Sequence, residues 1–370
     1  MNFNYFKMTK NNKIGIIVDE DFATKNMPPY PYPTFLSYET PLRIKSILSY
    51  LKEKAFFENE RIVKIEPMKV EEEIICLAHT KYHIESIRNL SNRGNGLLGE
   101  EVFITKDTFE LAKKAVGGAI KSIESVINNE VNQSFALIRP PGHHALREIA
   151  SGLCIFNNIA NSIIYLRERL QYDKKIAIID IDAHFGDGLV QYFYEDPSVL
   201  YFSVHEFDFL EGDIGFINEL GAGEGFGKSI NFPIPMNTTD QEFLEFVDII
   251  EPLLKKFEPD LIIIAAGFDM YFDDPIGNCL LTSVSYYHFS KIILRIAEEI
   301  CEGKLVYILE GGYSLIGLPV CIYSIFKALL KESYEPPSFE NLQFSNYSKK
   351  NDIKKIKSAL KKLLSDHWNI

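Results

Sequence analysis

The chain has 370 residues, 46% hydrophobic and 13% aromatic, enough for one large α/β domain or two ordinary ones and unlike a disordered or collagenous composition. A formal net charge of −12 disfavours direct nucleic-acid binding and mildly favours a cationic substrate. No apolar run approaches the ~20 residues of a membrane span, Met1–Lys13 lacks the apolar core of a signal peptide, and five scattered cysteines without a C-x-x-C pair suggest reduced thiols in a cytoplasmic protein.

In chain order, continuous apolar runs predict central strands at Ile14–Val18, Phe135–Ile138, Ile176–Ile181, Val199–Val204, Leu261–Ala266 and Leu305–Leu309. Helices are predicted between them: Thr108–Asn128 after an Asp107/Thr108 cap, Gln241–Phe257 after the turn residues 237–240, and Tyr286–Cys301 up to Gly303. The alternation implies right-handed βαβ units in one mostly parallel sheet. This main domain is expected over residues 1–333, followed by a surface linker over 334–352. Ile353, Ile356, Leu360, Leu363 and Leu364 then predict an amphipathic helix over 353–370 that docks on the domain.

The unusual polar residues stand just beyond these strands: His143 and His144, Asp180 to Asp187, His205, Asp269 and Tyr313. Ligands of open parallel sheets bind outside the carboxyl ends of the strands, so five strands point their functional groups at one crevice. The strand Ile176–Ile181 runs into Asp180-Ile181-Asp182-Ala183-His184-Phe185-Gly186-Asp187-Gly188. Several carboxylates and an imidazole at a buried strand end are costly unless a cation neutralises them. Asp182, His184 and Asp269 supply two carboxylates and one imidazole, a three-ligand set with room for substrate. Zn²⁺ is the default, with Fe²⁺, Co²⁺ or Mn²⁺ also compatible.

Arg139-Pro140-Pro141-Gly142-His143-His144-Ala145 places two imidazoles in one stiff turn, as paired acid/base groups require. Asp180 and Asp187 are available to orient them. In Leu309-Glu310-Gly311-Gly312-Tyr313 the tyrosine hydroxyl could donate to an oxyanion.

The ordered set R-P-P-G-H-H-A, G-[LF]-C-x-F-N-N, D-x-D-x-H-x-G-D-G, S-V-H, A-G-F-D-x-x-x-x-D-P and E-G-G-Y resembles the histone deacetylase / acetylpolyamine amidohydrolase superfamily, most closely its class II-like bacterial and archaeal branch. The likeness spans about residues 14–330. It implies an arginase/deacetylase-like three-layer α/β fold and metal-dependent hydrolysis of an acyl amide. Carried over, Asp182, His184 and Asp269 match the metal ligands, and His143 and His144 the catalytic pair oriented by Asp180 and Asp187. Tyr313 matches the tyrosine that binds the substrate carbonyl. Asp180, Asp182, His184, Ser203 and Val204 match a structural K⁺ site, and Arg43, more loosely, an arginine near an internal exit channel.

Three positions depart from that pattern. Phe185 replaces a histidine that is not a ligand, and Leu153 replaces an aromatic wall of the substrate tunnel, which implies a wider tunnel. Ile276 follows Asp274-Pro275 where polyamine-specific members carry a glutamate, which favours acyl-lysine over acetylpolyamine. Phe207 or Phe209 is expected as the other wall, and Glu206, Asp208 or Glu211 as negative charge near the mouth. The expected partner is an acylated lysine in a protein or a small acetylated amine, with no nucleic acid and no membrane; oligomeric state stays open. Competing readings are a ureohydrolase, which needs a two-metal site and a Gly-Gly-Asp-His segment absent here, and a catalytically silent acyl-ligand binding module.

Overall fold

The computed structural model describes residues 12–28, 35–98, 102–210, 212–342, 344 and 349–369. Its first part comprises β1 (Ile14–Ile17), α1 (Glu20–Thr24), α2 (Leu42–Glu53), β2 (Ile62–Ile65), α3 (Glu72–Ile75), α4 (Lys81–Arg93), β3 (Asn95–Leu98) and β4 (Val102–Thr105). The middle carries α5 (Thr108–Ile127), β5 (Gln133–Ala136), α6 (Asn158–Leu170), β6 (Ile176–Asp180), α7 (Asp187–Phe193), β7 (Val199–Glu206) and β8 (Ser229–Ile234). The last part carries α8 (Asp240–Phe243), α9 (Val247–Phe257), β9 (Leu261–Ala266), α10 (Ser283–Ile300), β10 (Leu305–Leu309), α11 (Gly317–Leu329) and α12 (Lys350–Trp368).

Eight strands form one sheet in the order β2-β1-β5-β10-β9-β6-β7-β8, and every pairing in it is parallel. The central strands are apolar throughout because helices cover both faces: each residue of β9 and β10 is fully buried. β3 and β4 form a separate antiparallel pair. All six predicted strands are present. The two sheet strands the sequence reading missed, β2 and β8, are the edges. β2 is only partly buried and carries Lys64, while β8 contains Pro233, a residue a sheet tolerates only at its edge. Both features hide a strand from a search for continuous apolar runs.

The single helix expected over Gln241–Phe257 is divided by a 3-10 turn at Leu244–Phe246. Three residues per turn bring Phe243 and Phe246 onto the same fully buried side. The segment after α11 is more tightly held than a surface linker. Ser338–Glu340 forms a 3-10 turn, and buried Glu340 accepts hydrogen bonds from the Tyr271 hydroxyl (2.8 Å) and the Ser283 amide (3.2 Å). Residues 343 and 345–348 of the expected linker lie outside the described residues. α12 begins at Lys350 rather than 353, and its Ile353, Ile356, Leu360, Leu364 and Trp368 enter the main core. The Trp368 indole N–H donates to Gly227 O (2.7 Å), fastening the helix end. Among the described residues, no helix is long and apolar enough to cross a membrane.

Candidate active site

Connections leaving the carboxyl ends of β5, β6, β9 and β10 converge on a cavity of about 410 Å³. It is lined by Pro141, His143, His144, Ser151, Gly152, Leu153, Asp182, His184, Asp187, Ile214, Asp269, Ile276 and Tyr313. β6 and β9 are neighbours in the sheet, which brings the loops after Asp180 and Ala266 side by side.

Asp182, His184 and Asp269 each offer one ligand atom, all within 4.8 Å of one another. Both carboxylates are buried, and His184 Nδ1 lies 3.1 Å from Asp182 Oδ1 and 3.2 Å from Asp269 Oδ2. Asp269 Oδ1 accepts from the Ala183 amide (2.8 Å), whereas the buried Asp269 Oδ2 has no hydrogen-bond partner. Gly311 keeps the space beside the two carboxylates open: a Cβ there would stand 2.4 Å from Asp269 Oδ2 and 2.6 Å from Asp182 Oδ2. Burial and the Asp182 charge push Asp269 up to about 6. Burial opposes ionisation of Asp182 too, but the His143 charge and hydrogen bonds from His184 outweigh it and hold that carboxyl low. Two buried carboxylates, an orphaned oxygen and one imidazole fit a divalent cation of the Zn²⁺ type.

The His143 and His144 rings pack against each other at a 51° tilt, with centroids 4.1 Å apart. His144 Nδ1 meets Asp187 Oδ1 at 2.7 Å, and His143 Nδ1 meets Asp180 Oδ2 at 3.3 Å. Tyr201, on the adjacent strand β7, donates its hydroxyl to the same Asp180 oxygen (3.0 Å). The two environments push the imidazoles apart. Burial disfavours the charged form of His143, but Asp182 and Asp180 override it and raise the group to about 10. Burial and the His143 charge lower His144. Burial also drives the Tyr313 hydroxyl well above its ordinary range, so it stays protonated.

Residues that the sequence reading had not given roles hold these groups in place. Glu310 Oε2 accepts from the amides of Gly142 (2.7 Å) and His143 (3.0 Å), tying the end of β10 to the histidine turn. Asp274 Oδ2 accepts from the amides of Tyr313 (2.6 Å) and Ser314 (3.0 Å). Buried Glu39 pairs with Arg139 through Nη2–Oε2 (2.6 Å) and Nε–Oε1 (2.8 Å), and with Arg43 at 3.5 Å. Glu310, Asp274 and Arg139 lie inside motifs already visible in the sequence; Glu39 belongs to none of them.

Other expectations are placed differently. Phe209 does not line the site; with Phe207 and Asp208 it lines a neighbouring cavity against α12, and Ile214 occupies the wall instead. The loop after β7 runs on past Phe209, and Gly215 folds its return against Phe185 and His205. His205 is not among the lining residues of the cavity; its Nδ1 meets Ser203 Oγ (2.8 Å) and its Nε2 meets Gly215 O (2.9 Å). Glu206 accepts from the Asn278 amide (2.7 Å), Asp208 accepts from the Leu210 amide (2.8 Å), and Glu211 lies outside the described residues. Ser203 pairs with Asp180 in the β6–β7 register, and both, with Val204, are fully buried. Leu153 (φ 68°) packs with Leu36, Phe103, Tyr313 and Ile276.

Comparison with known proteins places the chain in a family. Residues 37–329 match the model of the histone deacetylase domain. A probable deacetylase of Archaeoglobus fulgidus is 37% identical over 317 residues, covering 85% of this chain and 86% of that protein. Histone deacetylase 5 of Arabidopsis thaliana is 32% identical over 375 residues, 97% of this chain; the chain spans 54% of its length. The crystal structure of the HDA15 HD domain superposes with a TM-score of 0.82 at 26% identity, over 97% of this chain and 96% of that one. With residues 37–329 matching the histone deacetylase domain and a relative 37% identical over 85% of its length, the chain belongs to the histone deacetylase family.

Proposed function

We propose that this protein is a Zn²⁺-dependent amidohydrolase that removes acetyl or related acyl groups from lysine side chains. The observation that carries the reading is the convergence of Asp182, His184, Asp269, His143, His144 and Tyr313 on one cavity whose other walls are mostly apolar. Among the described lining residues, the carboxylates are those of Asp182, Asp187 and Asp269, all engaged with histidines. None is left at the rim to hold the second ammonium of a polyamine, which favours acyl-lysine over acetylpolyamine. Leu153, Ile214 and Ile276 supply aliphatic walls that suit a neutral acyl-bearing chain.

Asp182, His184 and Asp269 would hold the cation, which supplies Lewis acidity toward the acyl carbonyl and acidifies the attacking water. Tyr313 donates its hydroxyl to the carbonyl oxygen as negative charge develops there. His144, kept neutral by burial and by His143, accepts the proton of the attacking water at Nε2, while Asp187 on Nδ1 fixes the tautomer and offsets the new charge. His143, held charged by Asp180 and Asp182, adds positive potential beside the oxyanion. His144 then returns the proton to the departing amine, leaving a carboxylic acid and free lysine. A structural K⁺ held near Asp180, Asp182, His184, Ser203 and Val204 belongs to the same proposal. All five cysteines are free thiols, which fits action in the reducing cytoplasm.

The test is a substrate panel of acetyl-lysine peptide, longer acyl-lysine peptides and acetylpolyamines, run with Zn²⁺, Fe²⁺, Co²⁺ and Mn²⁺. Preferential turnover of acyl-lysine with Zn²⁺ supports the proposal. Preference for acetylpolyamines overturns the substrate assignment, and binding of every substrate without turnover identifies a silent acyl-binding module.

A further inference from the structure

A second group of metal-ligating side chains lies behind the cavity wall. His143, Cys154 and Glu310 each present one donor atom, all within 4.8 Å of one another, and all three residues are buried. They come from three separate places in the chain: the histidine turn after β5, the loop before α6, and the end of β10. Two details set this apart from chance proximity. Glu310 is fully buried and uses only Oε2, on the amides of Gly142 and His143; its Oε1 has no hydrogen-bond partner. Cys154 Sγ donates to Gly152 O at a long 3.5 Å. A buried carboxylate oxygen without a donor is costly, and a cation relieves that cost.

We propose that His143, Cys154 and Glu310 form a second, inhibitory site for a thiophilic divalent metal such as Zn²⁺ or Cd²⁺. One nitrogen, one thiolate sulfur and one carboxylate oxygen make a borderline-soft donor set that Zn²⁺ and Cd²⁺ favour over Mg²⁺ or Ca²⁺. Binding releases to solvent the Cys154 proton and the second ring proton of the charged His143, so that a thiolate, a neutral imidazole and a carboxylate face the metal. The metal shares His143 with the reaction site, so occupancy takes that imidazole out of the acid/base pair and adds positive charge beside its partner His144. Activity therefore rises as the Asp182–His184–Asp269 set fills and falls when the second set fills. The inhibition rests on the deacetylase reading; the site itself does not.

The experiment titrates metal-free protein with Cd²⁺ and, separately, Zn²⁺. Bound metal per chain, the near-ultraviolet thiolate-to-metal charge-transfer band and deacetylation are read together. The wild type is expected to take up a second equivalent of Cd²⁺ with a thiolate band, and turnover at excess Zn²⁺ is expected to fall by about 10²-fold. Cys154→Ala binds one equivalent, shows no band and keeps its turnover in excess Zn²⁺; Cys154→Ser, closer in volume, likewise shows no band. A wild type that stops at one equivalent, or a thiolate band that survives in both variants, overturns the site. If the protein proves to have no deacetylase activity, metal count and thiolate band still decide this proposal independently.

Discussion

The Arg43 guanidinium lies over the ring of Tyr313, 4.6 Å from its centroid, while its Nε donates to Gly312 O at 2.8 Å. Arg43 is fully buried on α2, so a residue far away in sequence fixes both the backbone and the ring that carry the proposed oxyanion donor. Arg43→Met keeps the length and removes the fork. Displacing Tyr313 by a fraction of its hydrogen-bond reach is expected to lower kcat by about 10²-fold with little change in KM. Steady-state kinetics on an acetyl-lysine peptide, with circular dichroism to verify folding, checks this; an unchanged kcat contradicts the positioning role.

Asp187 carries a different load. Its Oδ1 stands 2.7 Å from His144 Nδ1, and it is the contact that fixes the tautomer of that ring. Asp187→Asn preserves shape but can present an N–H to Nδ1, stabilising the wrong tautomer. Turnover should drop by about 10–100-fold, the usual cost of losing a histidine's carboxylate partner. The measurement is kcat for the variant loaded with metal to the same stoichiometry as wild type; equal rates would remove Asp187 from the mechanism.

Much of the site was legible because its groups sit inside short motifs directly after apolar strands. Asp182 and His184 follow β6, Asp269 follows β9 and Tyr313 follows β10, and parallel-sheet topology then brings them together. What the sequence hid is what depends on distant pairing. Glu39 reads as an ordinary acidic residue before a helix, yet it pairs with two buried arginines, Arg43 and Arg139. Tyr201 looks like strand filler until the β6–β7 register puts its hydroxyl on Asp180. Ile214 could not be recognised as a wall residue because the loop after β7 has no period from which to count. The same holds for the fold: the central strands announce themselves by continuous burial, whereas β2 and β8, half-covered or proline-bearing edges, do not.

His79 gives the fold a definite acid response. Burial, aided by the neighbouring His83, pushes it down to about 3, and its Nε2 accepts from the Asn157 amide at 2.9 Å. The folded state therefore holds His79 neutral, while the unfolded chain protonates it below its ordinary 6.5. Between those values the unfolded state binds more protons, so this contribution is fully present above about pH 6.5 and is lost as pH falls toward 3. About 1.5 pKa units lie between 6.5 and pH 5, which corresponds to ~2 kcal/mol lost by pH 5. Urea unfolding at pH 7.5 and pH 5 should show wild type losing about that much more stability than His79→Gln. Equal losses in the two proteins would refute it.

Trp368 closes α12 onto the domain with its indole buried and its N–H on Gly227 O. Trp368→Ala removes a large buried aromatic and orphans that carbonyl, so about 3–5 kcal/mol of stability should go. A thermal or urea transition within error of wild type would show that the helix end is not part of the cooperative core.

The central claim is tested most directly by stripping the protein of metal with a chelator and measuring free lysine released from an acetyl-lysine peptide as Zn²⁺ is returned, with Tyr313→Phe beside the wild type. The stripped protein should be inactive and should recover as the first equivalent of Zn²⁺ binds, while restored Tyr313→Phe should turn over about 10²–10³-fold more slowly. Turnover by the stripped protein equal to the restored one, or a Tyr313→Phe rate equal to wild type, would contradict the account.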